Sequence, residues 1–228
     1  MPNKIFDNYH KKCVFKIICD KLRDLDLNEI KGIKTHNGNT QNSERITIEI
    51  IKNILDKLKF SYTEAGSQQS KDFRNILNIG LNIEVKKTDG FNIFFNDTCP
   101  SPDIYYIIIF TGKSIGRGKN KKNIKPQFIF INGYDLIKDD IYLLYGKGGL
   151  KEDMEHMKNK WGRKGAGGNA CKFKHMGCYP RPTYQSDIKY LLDSHYSHEI
   201  KYKFKIGGPG EMPKPINLFN QFFNNHFN

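Results

Sequence analysis

The stretch from Ile104 to Phe110 constrains the fold most, because all seven of its residues are apolar or aromatic. A run this short and continuous is typical of a strand that is covered on both faces of a sheet. A second strand-like run, Gln127 to Ile131, is apolar after its first residue and ends at an Asn132-Gly133 turn. We therefore predict a mixed sheet with the Ile104–Phe110 strand near its centre.

Two segments before these strands carry a helical pattern. Apolar residues recur at intervals of three and four over residues 5–31, and again from about Glu44 to Lys59. Ser43 stands where an N-cap of the second helix is expected. The pattern predicts helices that pack on the sheet through one apolar face, as in an α/β domain.

Between the helices and the central strand lies Ser70 to Thr88, which contains the candidate site residues. Two strand-like runs flank the turn residues Asn78-Ile79-Gly80, which predicts a hairpin. Because side chains alternate along a strand, Glu84 and Lys86 share one face, about 7 Å apart. Pairing of the two runs brings Asp72 to the same place. Two carboxylates beside a lysine suit a Mg²⁺ ion and a phosphate.

The pattern Asp72…Glu84-Val85-Lys86, with the approach from Glu64 to Arg74, resembles the active-site signature of the PD-(D/E)XK nuclease superfamily. Most type II restriction endonucleases belong to this superfamily. Lys71 departs from the signature, because the family has Pro at that position. The resemblance covers Glu64 to about Lys113, under a quarter of the chain.

The resemblance implies a catalytic triad of Asp72, Glu84 and Lys86. Asp72 and Glu84 would bind Mg²⁺, and Lys86 would orient the attacking water. In many such enzymes an earlier helix supplies one more carboxylate to the metal. Glu49 is the candidate here and Glu44 the reserve, although either one alone is more simply explained as a solvated helix residue.

The implied fold is α/β, with a restriction-endonuclease-like core, a mixed central sheet flanked by helices, and a basic C-terminal recognition region. We expect a single domain over residues 1–228, with its core at about 43–135 and its recognition region at about 150–210. The implied activity is Mg²⁺-dependent, type II cleavage of double-stranded DNA at a specific short sequence. A homodimer and a cognate DNA methyltransferase are the expected partners. A repair or junction-resolving nuclease of the same fold, or a non-catalytic nucleic-acid-binding protein, remains an alternative.

The charge of the chain indicates a polyanionic partner. Lys and Arg number 37 against 24 Asp and Glu, which gives a net charge of +13. Gly112 to Lys125 contains six basic residues and no acidic one, as expected of a loop that contacts phosphate. Lys113, Arg117 and Lys119 are its candidate contacts. Gln69, in the loop before Asp72, is a candidate for phosphate or base edges.

A second basic stretch, Lys160 to Tyr184, combines glycines, cations and aromatic residues without a carboxylate. This composition is typical of a loop that approaches a nucleic-acid groove. Arg163 and Arg181 are candidates for guanine, and Asn169 for adenine. Contacts to phosphate alone are an equally good interpretation. The complete set of candidates in this stretch is Arg163, Lys164, Asn169, Arg181 and Tyr184.

The five cysteines are scattered and odd in number, which argues against a disulfide framework and favours a reducing cytoplasm. Cys171, His175 and Cys178 have a spacing that zinc accepts, but the fourth ligand of a structural site is not evident. Zinc and free thiols both stay open. No apolar run approaches the roughly 20 residues that span a membrane, and the N-terminus does not read as a signal peptide. We therefore expect a cytoplasmic protein with no membrane partner.

Overall fold

The computed structural model of the chain describes residues 4–26, 40–64, 71–96, 98–156, 176–177 and 183–201. The sequence also predicts a late strand at residues 202–206 and, in the apolar tail at 216–227, a docking helix or a dimer contact; both segments lie outside these residues.

A six-stranded mixed sheet forms the centre of the fold. Its order is β1-β2-β3-β5-β8-β11, and every neighbouring pair is antiparallel except β3 with β5, which are parallel. The strands are β1 (Thr63–Glu64), β2 (Phe73–Ile76), β3 (Leu81–Thr88), β5 (Tyr105–Phe110), β8 (Gln127–Asn132) and β11 (Ser197–Glu199). The predicted central strand is confirmed, since β5 lies between β3 and β8 and is buried on both faces.

Two helices cover one face of this sheet. They are α1 (Lys4–Arg23) and α2 (Thr40–Lys57). Helix α1 buries Phe15, Ile18 and Leu22, which recur at helical spacing, against the odd-numbered residues of β5. The cluster contributed by α2 and the sheet contains Ile51, Ile54, Leu55, Ile83, Val85, Ile107, Ile109, Phe128 and Phe130.

The other face of the sheet carries a second apolar cluster beneath a smaller sheet of order β4-β10-β9. Its strands are β4 (Asn92–Asn96), β9 (Met176–Gly177) and β10 (Thr183–Asp187). Helices α3 (Gly133–Ile137) and α4 (Ile141–Tyr145), and a helical segment at 150–156, add apolar side chains to it. The even-numbered residues Tyr106, Ile108 and Phe110 of β5 point into this cluster.

Three local predictions were wrong. Helix α2 begins at Thr40, so Ser43 lies inside it and is not its N-cap. The basic stretch after β5 is not a flexible loop but a hairpin of β6 (Lys113–Ile115) and β7 (Lys122–Ile124). Apolar residues at 188, 191 and 192 predict a helix that begins near Asp187, but the structure has only a single 3₁₀ turn there, at Lys189–Leu191.

The chain between residues 183 and 200 belongs to the core, although the sequence places it in the recognition region. Strand β10 pairs with β4, and β11 pairs with β8 at the edge of the central sheet. Ile188 and Leu191 are fully buried between them. Within the described part of the chain, no helix combines the length and apolar character that crossing a membrane requires.

Candidate active site

The hairpin of β2 and β3 positions the predicted acidic residues. Its turn is tight, with left-handed backbone at Leu77, Asn78 and Gly80. Phe73 pairs with Ile83 but Ile76 pairs with Leu81, so β2 contains one extra residue, a bulge. Continuing the antiparallel register one step beyond Phe73 and Ile83 places Asp72 alongside Glu84. The predicted hairpin is therefore confirmed.

Asp72 is half-buried and is held by the neighbouring strand. Its Oδ2 accepts a hydrogen bond from the backbone N–H of Val85 at 2.7 Å. The pKa of the Asp72 carboxyl is raised from 3.8 to about 6, and burial is the largest cause. The hydrogen bond from Val85 and the charge of Lys86 lower this pKa, whereas the negative charges of Glu84 and Glu44 raise it. Asp72 thus lies in the electrostatic field of both other residues of the predicted triad.

Glu84 and Lys86 form a tight ion pair on the face that the strand alternation predicts. Lys86 Nζ lies 2.5 Å from Glu84 Oε1, and Glu84 is only 7% exposed. Lys86 Nζ also lies 4.9 Å from the centre of the Phe95 ring, a cation–π distance. Glu84 pairs in register with Tyr106 on β5. A buried carboxylate with one cationic partner retains further lone pairs for a metal or a substrate-bound water.

The residues present fit a magnesium ion, although they do not form a closed protein site. Mg²⁺ is usually bound through one or two carboxylates, with water and substrate phosphate completing its six ligands. Asp72 and Glu84 supply two carboxylates, and the raised pKa of Asp72 marks a place where a nearby cation is favourable. Among the described residues no group of three or more His, Cys, Asp or Glu side chains is placed to hold a metal.

A cleft of about 460 Å³ opens beside Glu84. Its walls come from the residue before Asp72, the loop between β4 and β5, α4 and the helical segment 150–156. Its charged lining residues are Lys71, Glu84, Asp103, Lys151 and Glu155. Of the predicted triad, Glu84 lines this cleft and Asp72 directly follows Lys71, which also lines it. A smaller cavity of about 310 Å³ near Tyr190 contains none of the triad.

Sequence reasoning did not select Lys71, Lys151 or Glu155 as site residues. Lys151 and Glu155 are four apart on one helical segment, so they share a face, and this spacing was the available signal. Their place beside Glu84 depends on long-range packing, such as the contact between Cys99 Sγ and Met154 Sδ at 3.4 Å. The residues around Cys99 and around Met154 carry no sequence pattern that predicts this contact.

The two candidates for an additional carboxylate on α2 differ in their surroundings. The charge of Glu44 reaches Asp72 and contributes to its raised pKa. The charge of Glu49 instead contributes to the raised pKa of Lys52 and, among smaller causes, of Tyr62. The structure thus places the reserve candidate, Glu44, within electrostatic range of the predicted triad.

The candidate DNA-contacting residues fall into three groups. Lys113, Arg117 and Lys119 are all exposed on the β6–β7 hairpin. Tyr184 is only 4% exposed and packs 6.0 Å from Phe95, so its ring cannot stack on a base, and its predicted contact with DNA does not agree with its position. The candidates outside the described residues are Gln69, Arg163, Lys164, Asn169, Arg181 and the three possible zinc ligands Cys171, His175 and Cys178.

The chain was compared with protein families, curated proteins and solved structures. No protein-family model, curated protein or solved structure matches the chain.

Proposed function

We propose that the chain is a Mg²⁺-dependent endonuclease that hydrolyses phosphodiester bonds of double-stranded DNA. The observation that carries the proposal is the buried Glu84–Lys86 ion pair, 2.5 Å long, on the strand that also binds the Asp72 carboxylate. A strongly basic chain, with a net charge of +13, supplies the general attraction to a polyanion.

Asp72 and Glu84 would hold the metal. A bound Mg²⁺ ion neutralises the negative charge that develops on a phosphate during hydrolysis. The hydrogen bond from Val85 fixes the Asp72 carboxylate through Oδ2 and leaves Oδ1 available as a ligand. Because β3 is bonded to β2 on one side and β5 on the other, both carboxylates are mounted on a rigid sheet.

Lys86 would act on the water and the scissile phosphate. Its ammonium group has three donors, and one is directed to Glu84. The other donors can orient a water for in-line attack on phosphorus and stabilise a non-bridging oxygen. Lys71 and Lys151 line the cleft beside Glu84 and add positive charge on its walls, which favours entry of a phosphate group.

The narrower assignment, a type II restriction endonuclease, has its support in the resemblance of Asp72…Glu84-Val85-Lys86 and its approach to the family signature. It includes cleavage at a specific sequence, a homodimer that matches a two-fold symmetric target, and a cognate methyltransferase that protects host DNA. The restriction-endonuclease-like core belongs to the same proposal.

Plasmid cleavage tests the proposal directly. The purified chain is incubated with supercoiled plasmid in Mg²⁺ or in EDTA, and we expect discrete linear fragments only in Mg²⁺. Glu84→Gln keeps a hydrogen-bond acceptor for Lys86 but removes the charge, and we expect cleavage to be lost while DNA binding persists. Glu199→Gln is the matched control, because Glu199 on β11 also pairs with a lysine, Lys125, at 2.8 Å, but its side chain is 41% exposed against 9% for that of Glu84.

Intact plasmid in Mg²⁺ with the folded wild-type chain would overturn the proposal. Equal cleavage by wild type and Glu84→Gln would overturn the metal assignment. Discrete bands would support site-specific cleavage, whereas a smear would support a nuclease without sequence preference.

A further inference from the structure

The hairpin of β6 and β7 is a two-stranded antiparallel ribbon that belongs to neither of the larger sheets. Lys113 pairs with Ile124 and Ile115 with Lys122. Ser114 Oγ donates a hydrogen bond to Asn123 Oδ1 at 2.6 Å across the ribbon. We call residues 113–124 the basic ribbon.

The charge on the basic ribbon is of one sign. Its five cations are Lys113, Arg117, Lys119, Lys121 and Lys122, all of them exposed, and its sequence contains no acidic residue. Among the residues that the structure describes, none of the five forms a salt bridge, whereas the neighbouring Lys125 pairs with Glu199 at 2.8 Å. Like charges this close repel one another, so a bound polyanion would stabilise this arrangement.

The tip of the ribbon has a defined shape. A 3₁₀ turn closes it, in which Asn120 N–H donates to Arg117 O and Lys121 N–H donates to Gly118 O, each at 3.2 Å. Gly116 has φ of +83°, and a Cβ at this position would lie 2.4 Å from the carbonyl oxygen of Asn120. Only glycine allows the chain to turn so closely here.

The base of the ribbon is fixed to the body of the protein. Lys113 Nζ lies 4.7 Å from the centre of the Phe91 ring, and Ile124 packs against the second apolar cluster. Phe91 in turn stacks on Phe110 at the end of β5. The ribbon therefore leaves the sheet at the C-terminal end of β5. Its base is held by the second apolar cluster, which covers the same face of the sheet that Lys86 lies on.

The basic ribbon also has a set distance from the candidate active site. Glu84 and Tyr106 are in register on the parallel strands β3 and β5, and so are Thr88 and Phe110. Phe110 therefore lies about 13 Å along the strands from the level of Glu84, and the ribbon begins three residues after it, at Lys113. That distance corresponds to about four base pairs of a duplex.

We propose that the basic ribbon enters the major groove of duplex DNA, with Arg117, Lys119 and Lys121 at its tip on the phosphates of the groove walls. The major groove of B-DNA, about 12 Å wide, admits a two-stranded ribbon. The major groove of A-form RNA is too deep and narrow for side chains to read. This inference rests on the proposed function for the identity of the substrate, and it assigns the element that sets the cleavage position relative to bound DNA.

Binding measured without Mg²⁺ tests the charge of the ribbon separately from cleavage. The triple variant Arg117→Gln, Lys119→Gln, Lys121→Gln is titrated with a labelled 20-base-pair DNA duplex in EDTA at several salt concentrations. We expect Kd to rise at least about tenfold, and the slope of log Kd against log salt to fall by about 2 to 3, near 0.9 per phosphate contact. The matched control is Lys12→Gln, Lys21→Gln, Lys57→Gln, which removes the same charge from exposed positions on α1 and α2.

Gly116→Ala tests the shape of the ribbon without changing its charge. We expect an unchanged far-ultraviolet circular dichroism spectrum and a Kd for duplex DNA that is about tenfold weaker, since the tip must open to make room for the added Cβ beside Asn120 O. Wild-type chain should bind duplex RNA and single-stranded DNA of the same sequence at least tenfold more weakly than duplex DNA.

Three results would overturn the inference: equal effects of the ribbon and control triple variants, wild-type affinity in Gly116→Ala, or equal affinity of the wild type for DNA and RNA duplexes. The proposed function fails separately. If the ribbon variants lose binding but the wild type leaves plasmid intact in Mg²⁺, the nuclease proposal is overturned and the DNA-binding role of the ribbon is supported. If the triple variant cuts plasmid at the wild-type rate, the DNA-binding role of the ribbon is overturned and the nuclease proposal is supported.

Discussion

The carboxylate of Asp72 accepts a 2.7 Å hydrogen bond from the backbone N–H of Val85, the residue between Glu84 and Lys86. This contact ties the start of β2 to the strand that carries the other two residues of the triad. It stabilises the ionised carboxylate, but burial has the larger effect, and the pKa of Asp72 rises to about 6. Asp72 is therefore held in place at a cost to the stability of the metal-free protein.

Replacing Asp72 by Asn removes that cost. Below about pH 3 the carboxyl is protonated in both states; between about pH 3 and 6 the unfolded chain releases its proton first, so wild-type stability falls as pH rises. We expect Asp72→Asn, whose amide oxygen can still accept from Val85, to be about 3 kcal/mol more stable than wild type at pH 8 in EDTA. Urea unfolding at pH 3 and pH 8 measures this difference, which should be close to zero at pH 3.

The same variant separates the metal effect from the proton effect. Mg²⁺ should raise the stability of the wild type at pH 8 and leave that of Asp72→Asn unchanged, because ligands stabilise only the state that binds them. Asp139→Asn, an exposed aspartate outside the cleft, is the control and should stay within about 0.5 kcal/mol of wild type. A wild type that gains no stability from Mg²⁺ would contradict the assignment of Asp72 as a ligand.

The Glu84–Lys86 pair predicts a non-additive double variant. Lys86→Met leaves the carboxylate of Glu84, which is 7% exposed, without its cation, and we expect a loss of about 2 kcal/mol. Adding Glu84→Gln should restore much of that stability, since the buried charge is gone. Denaturant midpoints of the wild type, both single variants and the double variant give the coupling energy, expected to be about 1–2 kcal/mol. Plasmid cleavage should be lost in all three variants; additive stabilities would show that the two side chains do not form the pair.

Glu44 and Glu49 offer a comparison on one helix. Glu44→Gln removes a negative charge that raises the pKa of Asp72, so that pKa should fall. The acidic limb of the cleavage rate against pH should then move to lower pH. Glu49→Gln is the matched control, because its charge acts on Lys52 and Tyr62, and its profile should follow the wild type. A shift in Glu49→Gln alone would favour Glu49 as the residue near the site.

The parts of the site that could be predicted depend on local periodicity. Glu84 and Lys86 are two apart on an alternating strand, and this alone places them on one face. The apolar run ending at Phe110 requires cover on both faces, which predicts a central strand. Both inferences need only residues close together in the sequence.

The remaining features depend on long-range pairing. Strand β3 pairs in parallel with β5, and β11 returns from late in the chain to pair with β8; neither follows from the residues of one strand. Tyr184 looks like an exposed aromatic residue in a basic stretch, yet it packs in the second apolar cluster because β10 pairs with β4. The basic ribbon resembles a loop in composition, and it is a hairpin because residues 113–115 pair with residues 122–124.

Lys71 stands where the PD-(D/E)XK signature that this stretch resembles has Pro, and the backbone conformation of Lys71 excludes proline. Its φ is +76°, whereas the proline ring fixes φ near −65°. We expect Lys71→Pro to destabilise the fold by about 3 kcal/mol or more and to abolish cleavage, because the residue that follows is Asp72. Urea unfolding and plasmid cleavage measure both effects.

Glycine and alanine at position 71 separate backbone strain from side-chain charge. A left-handed conformation costs about 1–2 kcal/mol for a residue with a Cβ, and glycine avoids it at a smaller entropic cost. Lys71→Gly should therefore be about 1 kcal/mol more stable than Lys71→Ala. Both variants lose the cation that lines the cleft beside Glu84, so their affinities for duplex DNA in EDTA should fall equally. If Lys71→Pro folds as stably as Lys71→Ala, the left-handed turn before Asp72 is absent and the carboxylate must reach β3 by another path.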